Sequence, residues 1–251
     1  MSRTSISKAL FLAALTISTC AAHAESFDNP VHKKVVDLGP ADVIPNRNQH
    51  IELTCAYYRT FMVKELNDPA NKGALFIATV PIQPGNTPAC TRKHGPNDRV
   101  FKDWEGYFAG VKHGLLFLDA SDGVGGGMPF AVFDPITGAK IFEDSVRLEK
   151  GGERKLDFIH TPDTQITLRY LRVVSEDCSL LKDGASSCWS RFRNRIGLPS
   201  APMPHCDYQG QDVQAFPAEA YSVIAYPVET SFFPKPSIKA LANPSMCWPH
   251  E

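Results

Sequence analysis

The chain has 251 residues, with 26 Lys or Arg against 27 Asp or Glu, and its formal net charge is −1. This near-neutral charge excludes an electrostatic basis for binding nucleic acid or an anionic membrane. The hydrophobic content of 43% is typical of a packed globule and not of a disordered chain. The 20 prolines favour strands and turns over long helices.

The N-terminus has the pattern of an export signal. Basic residues precede a short apolar run at 9–17, and Ala22 and Ala24 are the small residues expected before a cleavage site. We therefore predict that residues 1–24 are a signal peptide and that the mature protein reaches the periplasm or the extracellular medium. In an alternative interpretation, Cys20 is the acylated residue of a lipoprotein signal. The rest of the chain has no stretch with the length of a transmembrane segment.

Strand signals dominate the rest of the sequence. Apolar side chains alternate from Ile51 to Val63, which is typical of a strand with one buried face. Apolar or alternating runs, separated by turn residues, predict seven further strands. These lie at 74–82, 114–120, 130–134, 140–144, 155–159, 165–174 and 221–228.

One helix is predicted at 187–196, where Trp189 and Phe192 recur at helical spacing and Gly197 marks the end. Arg195 belongs to a group of arginines in its last turns, where positive charge suits the helix dipole. The sequence therefore predicts a mainly β protein, an antiparallel β-sandwich or a barrel-like double sheet with one or two short helices.

The cysteines predict three disulfides. Six remain once the signal is removed, and an even number in an exported chain is typical of a disulfide framework. Counting allows fifteen pairings, but the turn-rich loop between Cys178 and Cys188 favours that pair, and sequential order then gives the others. The predicted bridges are Cys55 with Cys90, Cys178 with Cys188, and Cys206 with Cys247.

The composition changes near residue 174. Residues 25–174 form a β-rich core, whereas residues 175–251 hold four of the six cysteines and a series of prolines. We predict that 175–251 is a segment fastened to the core by disulfides, and that the two parts make one structural unit. The alternative is a small independent domain.

One segment could bind a metal. Asp119 and Asp122 follow a predicted buried strand and precede three consecutive glycines at 125–127. Two carboxylates on a glycine-containing loop suit a hard cation, and calcium is the metal expected outside the cell. The competing interpretation is structural, with both carboxylates hydrogen-bonded to backbone amides of the loop.

Aromatic residues offer a binding surface. Trp104 and Tyr107 lie together beside charged residues, and Tyr58 is one of two adjacent tyrosines that point to opposite faces of a predicted strand. Exposed aromatic rings suit stacking against a glycan or contact with a partner protein. Alternatively, Trp104 fills the β core.

The sequence has no serine-nucleophile, zinc-protease or redox-dithiol motif. The prediction is therefore an exported, disulfide-stabilised binding or interaction protein whose ligand is a protein or a glycan. The alternative is an exported hydrolase that acts on cell-wall or polysaccharide material through paired carboxylates in the region 119–134.

Overall fold

The computed structural model describes residues 26–42, 49–149, 152–160, 166–181, 183–206, 221–242 and 245–249. Within these residues it has two antiparallel sheets and one helix, which confirms the mainly β prediction. Neither sheet closes into a barrel over the described ranges, so the sandwich is the correct form of the two predicted. The predicted export signal and Cys20 lie outside the described residues.

The first sheet has five strands in sequential order, each antiparallel to the next. They are β1 (His32–Pro40), β2 (His50–Tyr57), β3 (Phe61–Asn67), β4 (Phe76–Pro81) and β5 (Arg99–Val100).

The second sheet has nine strands, and its main path runs β13-β12-β11-β9-β8-β7-β6. Strand β10 pairs with β11 and β14 pairs with β12. The strands are β6 (Gly106–Lys112), β7 (Leu115–Ala120), β8 (Gly127–Phe133), β9 (Lys140–Arg147), β10 (Asp157–His160), β11 (Ile166–Ser175), β12 (Ser222–Ser231), β13 (Ser237–Ala240) and β14 (Met246–Pro249).

One predicted strand is wrong in its extent. The alternating run from Ile51 to Val63 is two strands, β2 and β3, because the chain reverses after Tyr57. The amide of Tyr58 donates to the carbonyl of Phe61 at 2.8 Å, which closes the hairpin. The turn contains Arg59 and no Gly, Pro, Asn or Asp, so none of the usual turn residues marks it.

The two sheets pack face to face. Phe61, Val63 and Ile77 of the first sheet meet a set of buried side chains from the second, which includes Leu116, Leu118 and Phe133. A polar contact crosses the same interface, since the Glu65 carboxylate accepts a hydrogen bond from the Phe108 amide at 2.7 Å. Burial raises the pKa of Glu65, and that hydrogen bond opposes the change.

Both sheets also bury their other faces. On the first sheet, Leu53 and Met62 belong to a cluster that the 82–98 segment covers. On the second sheet, Phe117 and Phe130 pack with residues of the helix α1 (Ala185–Arg195). Alternate residues of β7 and β8 therefore point into two different cores, as the period of a strand requires.

The three predicted disulfides are confirmed. Cys55–Cys90 joins β2 to the covering segment, Cys178–Cys188 joins the end of the sheet to α1, and Cys206–Cys247 reaches β14. Three disulfides suit an oxidising, extracellular environment.

Residues after 174 contribute α1 and the strands β12, β13 and β14. Strand β12 pairs with β11 along nine consecutive residues and is buried over most of its length. In the described part of the chain, no helix has the length and apolar character needed to cross a membrane.

Candidate binding site

A cleft of about 320 Å³ lies between α1 and the strands β11, β12 and β13. Three of its residues are polar and the others are apolar. We call it the arginine cleft, and its principal residues are Arg172, Arg195, Tyr226, Phe192, Ile196 and Ile238.

Sheet pairing and helix packing bring the polar residues together. Arg172 on β11 lies directly opposite Tyr226 on β12, so their side chains share one face of the sheet. Arg195 is in the last turn of α1, three residues after Phe192, and its guanidinium lies 5.4 Å from the Phe192 ring centre. The Phe192 ring in turn packs edge-on against Tyr226 at 5.4 Å.

A buried carboxylate holds the first guanidinium. The Nε of Arg172 donates to Asp144 at 2.8 Å, and its Nη1 donates to the Tyr226 hydroxyl at 3.2 Å. The hydroxyl of Tyr170 also donates to Asp144. Burial is the largest single effect and lowers the pKa of Arg172, but the charges and hydrogen bonds of Asp144 and Tyr226 together outweigh it, so the net pKa lies above its ordinary value.

The second guanidinium is held in the same way, because Arg195 forms an ion pair with Glu176. In both pairs the carboxylate is the buried partner. Asp144 and Glu176 have side chains 4% and 6% exposed, whereas those of Arg172 and Arg195 are 29% and 62% exposed. The charge that reaches the cleft surface is therefore positive.

Tyr226 also lines the cleft, although the residue is only 2% exposed. Burial raises the pKa of its phenol, and the neighbouring arginines oppose the change without reversing it. The phenol therefore keeps its proton at neutral pH. Since its oxygen accepts from Arg172, its own O–H group is able to donate to a ligand.

These groups define what the cleft can bind. Guanidinium groups match carboxylates and phosphates in geometry as well as charge, and a phenol provides one further donor. Ile196 and Ile238 offer an apolar wall for the remainder of a ligand, with the buried Phe192 beneath them. Two guanidiniums and a phenol are therefore able to bind and orient an anionic ligand.

The predicted aromatic residues lie elsewhere. Trp104 and Tyr58 are half-buried and pack against the core between the sheets. The Trp104 indole donates to the Asp119 carbonyl at 3.0 Å, and Tyr58 stacks on Phe61. Tyr107 is exposed, and its hydroxyl accepts from the Gly73 amide. A ligand role for Trp104, Tyr107 and Tyr58 stays a prediction.

The two predicted metal ligands each have a cationic partner. Asp119 approaches Arg154 at 2.7 Å, at an angle unfavourable for a hydrogen bond, and Asp122 binds Lys72 at 2.6 Å. A calcium ion would have to displace both basic side chains, and this site also stays a prediction.

One other group of potential metal ligands occurs in the described ranges, at Glu176, Asp177 and Cys178. Its sulfur is not a thiolate, because Cys178 is bonded to Cys188. The group is therefore not a metal site of the thiolate type.

No protein-family model, curated protein or solved structure gives a match to this chain. Sequence analysis missed the arginine cleft, because Arg172, Arg195 and Tyr226 come from three separate segments with no common motif. From the sequence, the helix dipole alone accounts for Arg195, and no sequence signal shows that Asp144 and Glu176 are buried beside the two arginines.

Proposed function

We propose that this protein is an exported, disulfide-stabilised binding protein that takes up a small anionic ligand with an apolar portion in the arginine cleft. The observation that carries the proposal is the arrangement of Arg172 and Arg195. Each guanidinium is fixed by a buried carboxylate and presented beside the Tyr226 hydroxyl and an apolar wall.

Fixing the guanidiniums in advance favours binding. A flexible arginine loses rotational freedom when it meets a ligand, whereas an arginine already held by Asp144 or Glu176 loses less. Within the described residues, the bonds of Arg172 to Asp144 and Tyr226 use two of its five N–H donors. The remaining donors supply the charge-assisted hydrogen bonds that a carboxylate needs.

Export is supported by two observations of different kinds. Three disulfides suit an oxidising compartment, and residues 1–24 have the sequence pattern of a signal peptide. Together they favour the periplasm or the extracellular medium as the place where the ligand is met. A carboxylate occurs there in small organic acids, in uronic acid residues of glycans and at peptide C-termini.

The test is calorimetric titration of the mature protein with these three sources. The panel contains aryl and branched aliphatic carboxylates, uronic acid oligosaccharides, and short peptides that end in an apolar residue. For each acid, the matched primary amide is the ligand control. Binding of acids but not of amides supports the proposal, and the best-bound class identifies the source.

Variants locate the binding at the cleft. Arg195→Gln should weaken binding at least tenfold, because a charge-assisted hydrogen bond contributes about 1.5–3 kcal/mol. Arg169→Gln is the matched control, since Arg169 pairs with Glu229 and lies on the other face of β11. Equal affinity of both variants, or no binding of any acid by the parent protein, would refute the proposal.

The hydrolase alternative is favoured by one observation. The carboxyl of Asp119 is largely buried, and burial raises its pKa to about 6 against the opposing effect of Arg154. That value lies in the range where an acid–base catalyst operates. Turnover of a glycan or ester by the mature protein, abolished by Asp119→Asn and retained by Asp122→Asn, would support this function.

A further inference from the structure

Strand β1 forms an edge of the first sheet. In the described part of the chain its neighbour is β2 on one side, and its other side pairs with no strand. The register with β2 is regular from His32 to Asp37 and shifts before Pro40. An edge with unpaired backbone groups is a template for pairing with another chain.

The side chains of β1 are exposed along this edge. Val35 is 51% exposed, and Val31, which directly precedes the strand, is exposed as well. Val36 and Leu38 are partly buried against the core on the outer face of the first sheet. Val35 therefore points to the opposite face of the first sheet, which is the face that packs against the second sheet.

We propose that two copies of this protein associate through β1, which pairs with β1 of the second copy as antiparallel strands about a two-fold axis at Val35. The two five-stranded sheets then form one continuous sheet of ten strands. This interface belongs to the first sheet, whereas the arginine cleft belongs to the second, so the two proposals are independent.

Symmetry restricts the possible registers. A two-fold axis perpendicular to the sheet maps each face onto itself, so directly opposed residues must both be odd or both be even in number. The axis therefore passes beside one residue, which faces its own copy. If that residue were Lys34, two lysines would be opposed, and like charges directly opposite each other destabilise a sheet.

Centring the axis on Val35 gives the best complementarity. Lys33 of each copy then lies opposite Asp37 of the other, and Lys34 lies opposite Val36. Both Lys33–Asp37 pairs lie within the regular part of β1, whereas an axis at Val36 would extend the pairing into the register shift. The Asp37 carboxylate is held by the Gly39 amide at 2.8 Å and by His50 at 2.6 Å.

Lysines on an edge strand ordinarily discourage pairing with other chains. In the Val35 register, Lys33 has an acidic partner on the neighbouring strand, so it selects one register instead of preventing all of them. The same lysine repels a foreign strand that lacks the acid. The strand thus combines an attractive pairing with itself and a penalty for other partners.

The first experiment is sedimentation equilibrium of the mature protein over a wide concentration range. We expect a monomer–dimer equilibrium whose Kd rises at least tenfold in Lys33→Glu, because two favourable pairs become two repulsive ones. Lys34→Glu is the matched control. It makes the same change in net charge next to Lys33 but faces Val36, and its Kd should stay within about threefold of the parent value.

The second experiment tests the register by cysteine cross-linking. Opposed residues of antiparallel strands have Cα atoms about 4.5–5.5 Å apart, within reach of a disulfide. Val35→Cys should therefore give a covalent dimer on mild oxidation. Val31→Cys should not, because eight residues separate the two copies of position 31 by about 26 Å.

A parent protein that stays monomeric at all concentrations would overturn the proposal. Equal weakening by Lys33→Glu and Lys34→Glu would overturn it too, since that result would show a general charge effect. Cross-linking of Val31→Cys in preference to Val35→Cys would exclude the Val35 register. A dimer that persists in Lys33→Glu would place the interface elsewhere.

Discussion

The Nζ atom of Lys64 lies 2.6 Å from the Oδ2 atom of Asp98, and both side chains are almost fully buried, at 3% and 5% exposed. The same ammonium donates to the Lys93 carbonyl at 2.8 Å. The pair thus fastens the covering segment 82–98 to the outer face of the first sheet. A buried ion pair is costly to break, because the partner that remains is an uncompensated charge.

We expect Lys64→Met to lower the free energy of unfolding by up to about 3–5 kcal/mol, because Asp98 then stays buried with only the His94 imidazole, at 3.7 Å, as a counter-charge when it is protonated. Replacing both members by apolar residues, as in Lys64→Met with Asp98→Leu, should recover most of that loss. Denaturant unfolding of the three proteins measures the difference. A single variant as stable as the parent would show that Asp98 escapes to solvent.

The disulfide Cys55–Cys90 fastens the same segment covalently. Its loop spans 35 residues, whereas the Cys178–Cys188 loop spans 10. On the chain-entropy account, removing the disulfide that closes the longer loop costs about 4 kcal/mol. Removing the disulfide that closes the shorter loop costs about 3 kcal/mol. We therefore expect Cys55→Ala with Cys90→Ala to destabilise the protein more than Cys178→Ala with Cys188→Ala, as measured by unfolding without reductant. The reverse order would show that native packing around α1 outweighs loop entropy.

The sequence predicted those features that local patterns determine. Buried strands such as β7 and β8 have continuous apolar runs, and the disulfides followed from spacing and chain order. The missed strands are β1, β5, β6, β13 and β14, and for β1 and β6 the physical reason is visible in the sequence. β1 is an exposed edge with few apolar residues, and β6 contains Gly106 and Gly110, which lower the strand signal.

The arginine cleft could not be predicted in this way. Arg172 and Tyr226 are 54 residues apart and become neighbours only through the β11–β12 register. Their buried partners are also remote in sequence, since Asp144 is 28 residues from Arg172 and Glu176 is 19 residues from Arg195. Electrostatic sites of this kind depend on which charges are buried, and burial is a property of the folded structure and not of residue type.

Gly106 lies where β6 approaches β7 most tightly for a side chain to be added, next to Asp119 and Ala120. A Cβ atom at this position would lie 1.7 Å from the Asp119 carbonyl oxygen, which is backbone and cannot move aside. We expect Gly106→Ala to cost about 3 kcal/mol or more in unfolding free energy. Gly85→Ala is the control, because it has positive φ and open space, and should cost about 1 kcal/mol from backbone conformation alone. Similar costs for both would show that β6 shifts to admit the methyl group.

Asp119 should give the stability of the protein a distinctive dependence on pH. Its pKa is about 6 in the folded protein, raised by burial, against 3.8 for an exposed aspartate. Between these values the folded state binds more protons than the unfolded state, so the stability falls as the pH rises from about 4 to about 6. The full effect amounts to up to about 3 kcal/mol, at about 1.4 kcal/mol for each pH unit.

Denaturant unfolding of the parent protein and of Asp119→Asn at several pH values between 4 and 7 isolates this contribution. The side-chain amide does not titrate, so the variant should gain stability relative to the parent as the pH rises, whatever its stability at pH 4. Asp122→Asn is the control. The pKa of Asp122 is lowered by its hydrogen bond with Lys72, so the stability contribution of this pair is lost as the pH falls. Parallel pH curves for the parent and Asp119→Asn would mean that Arg154 keeps Asp119 ionised throughout this range.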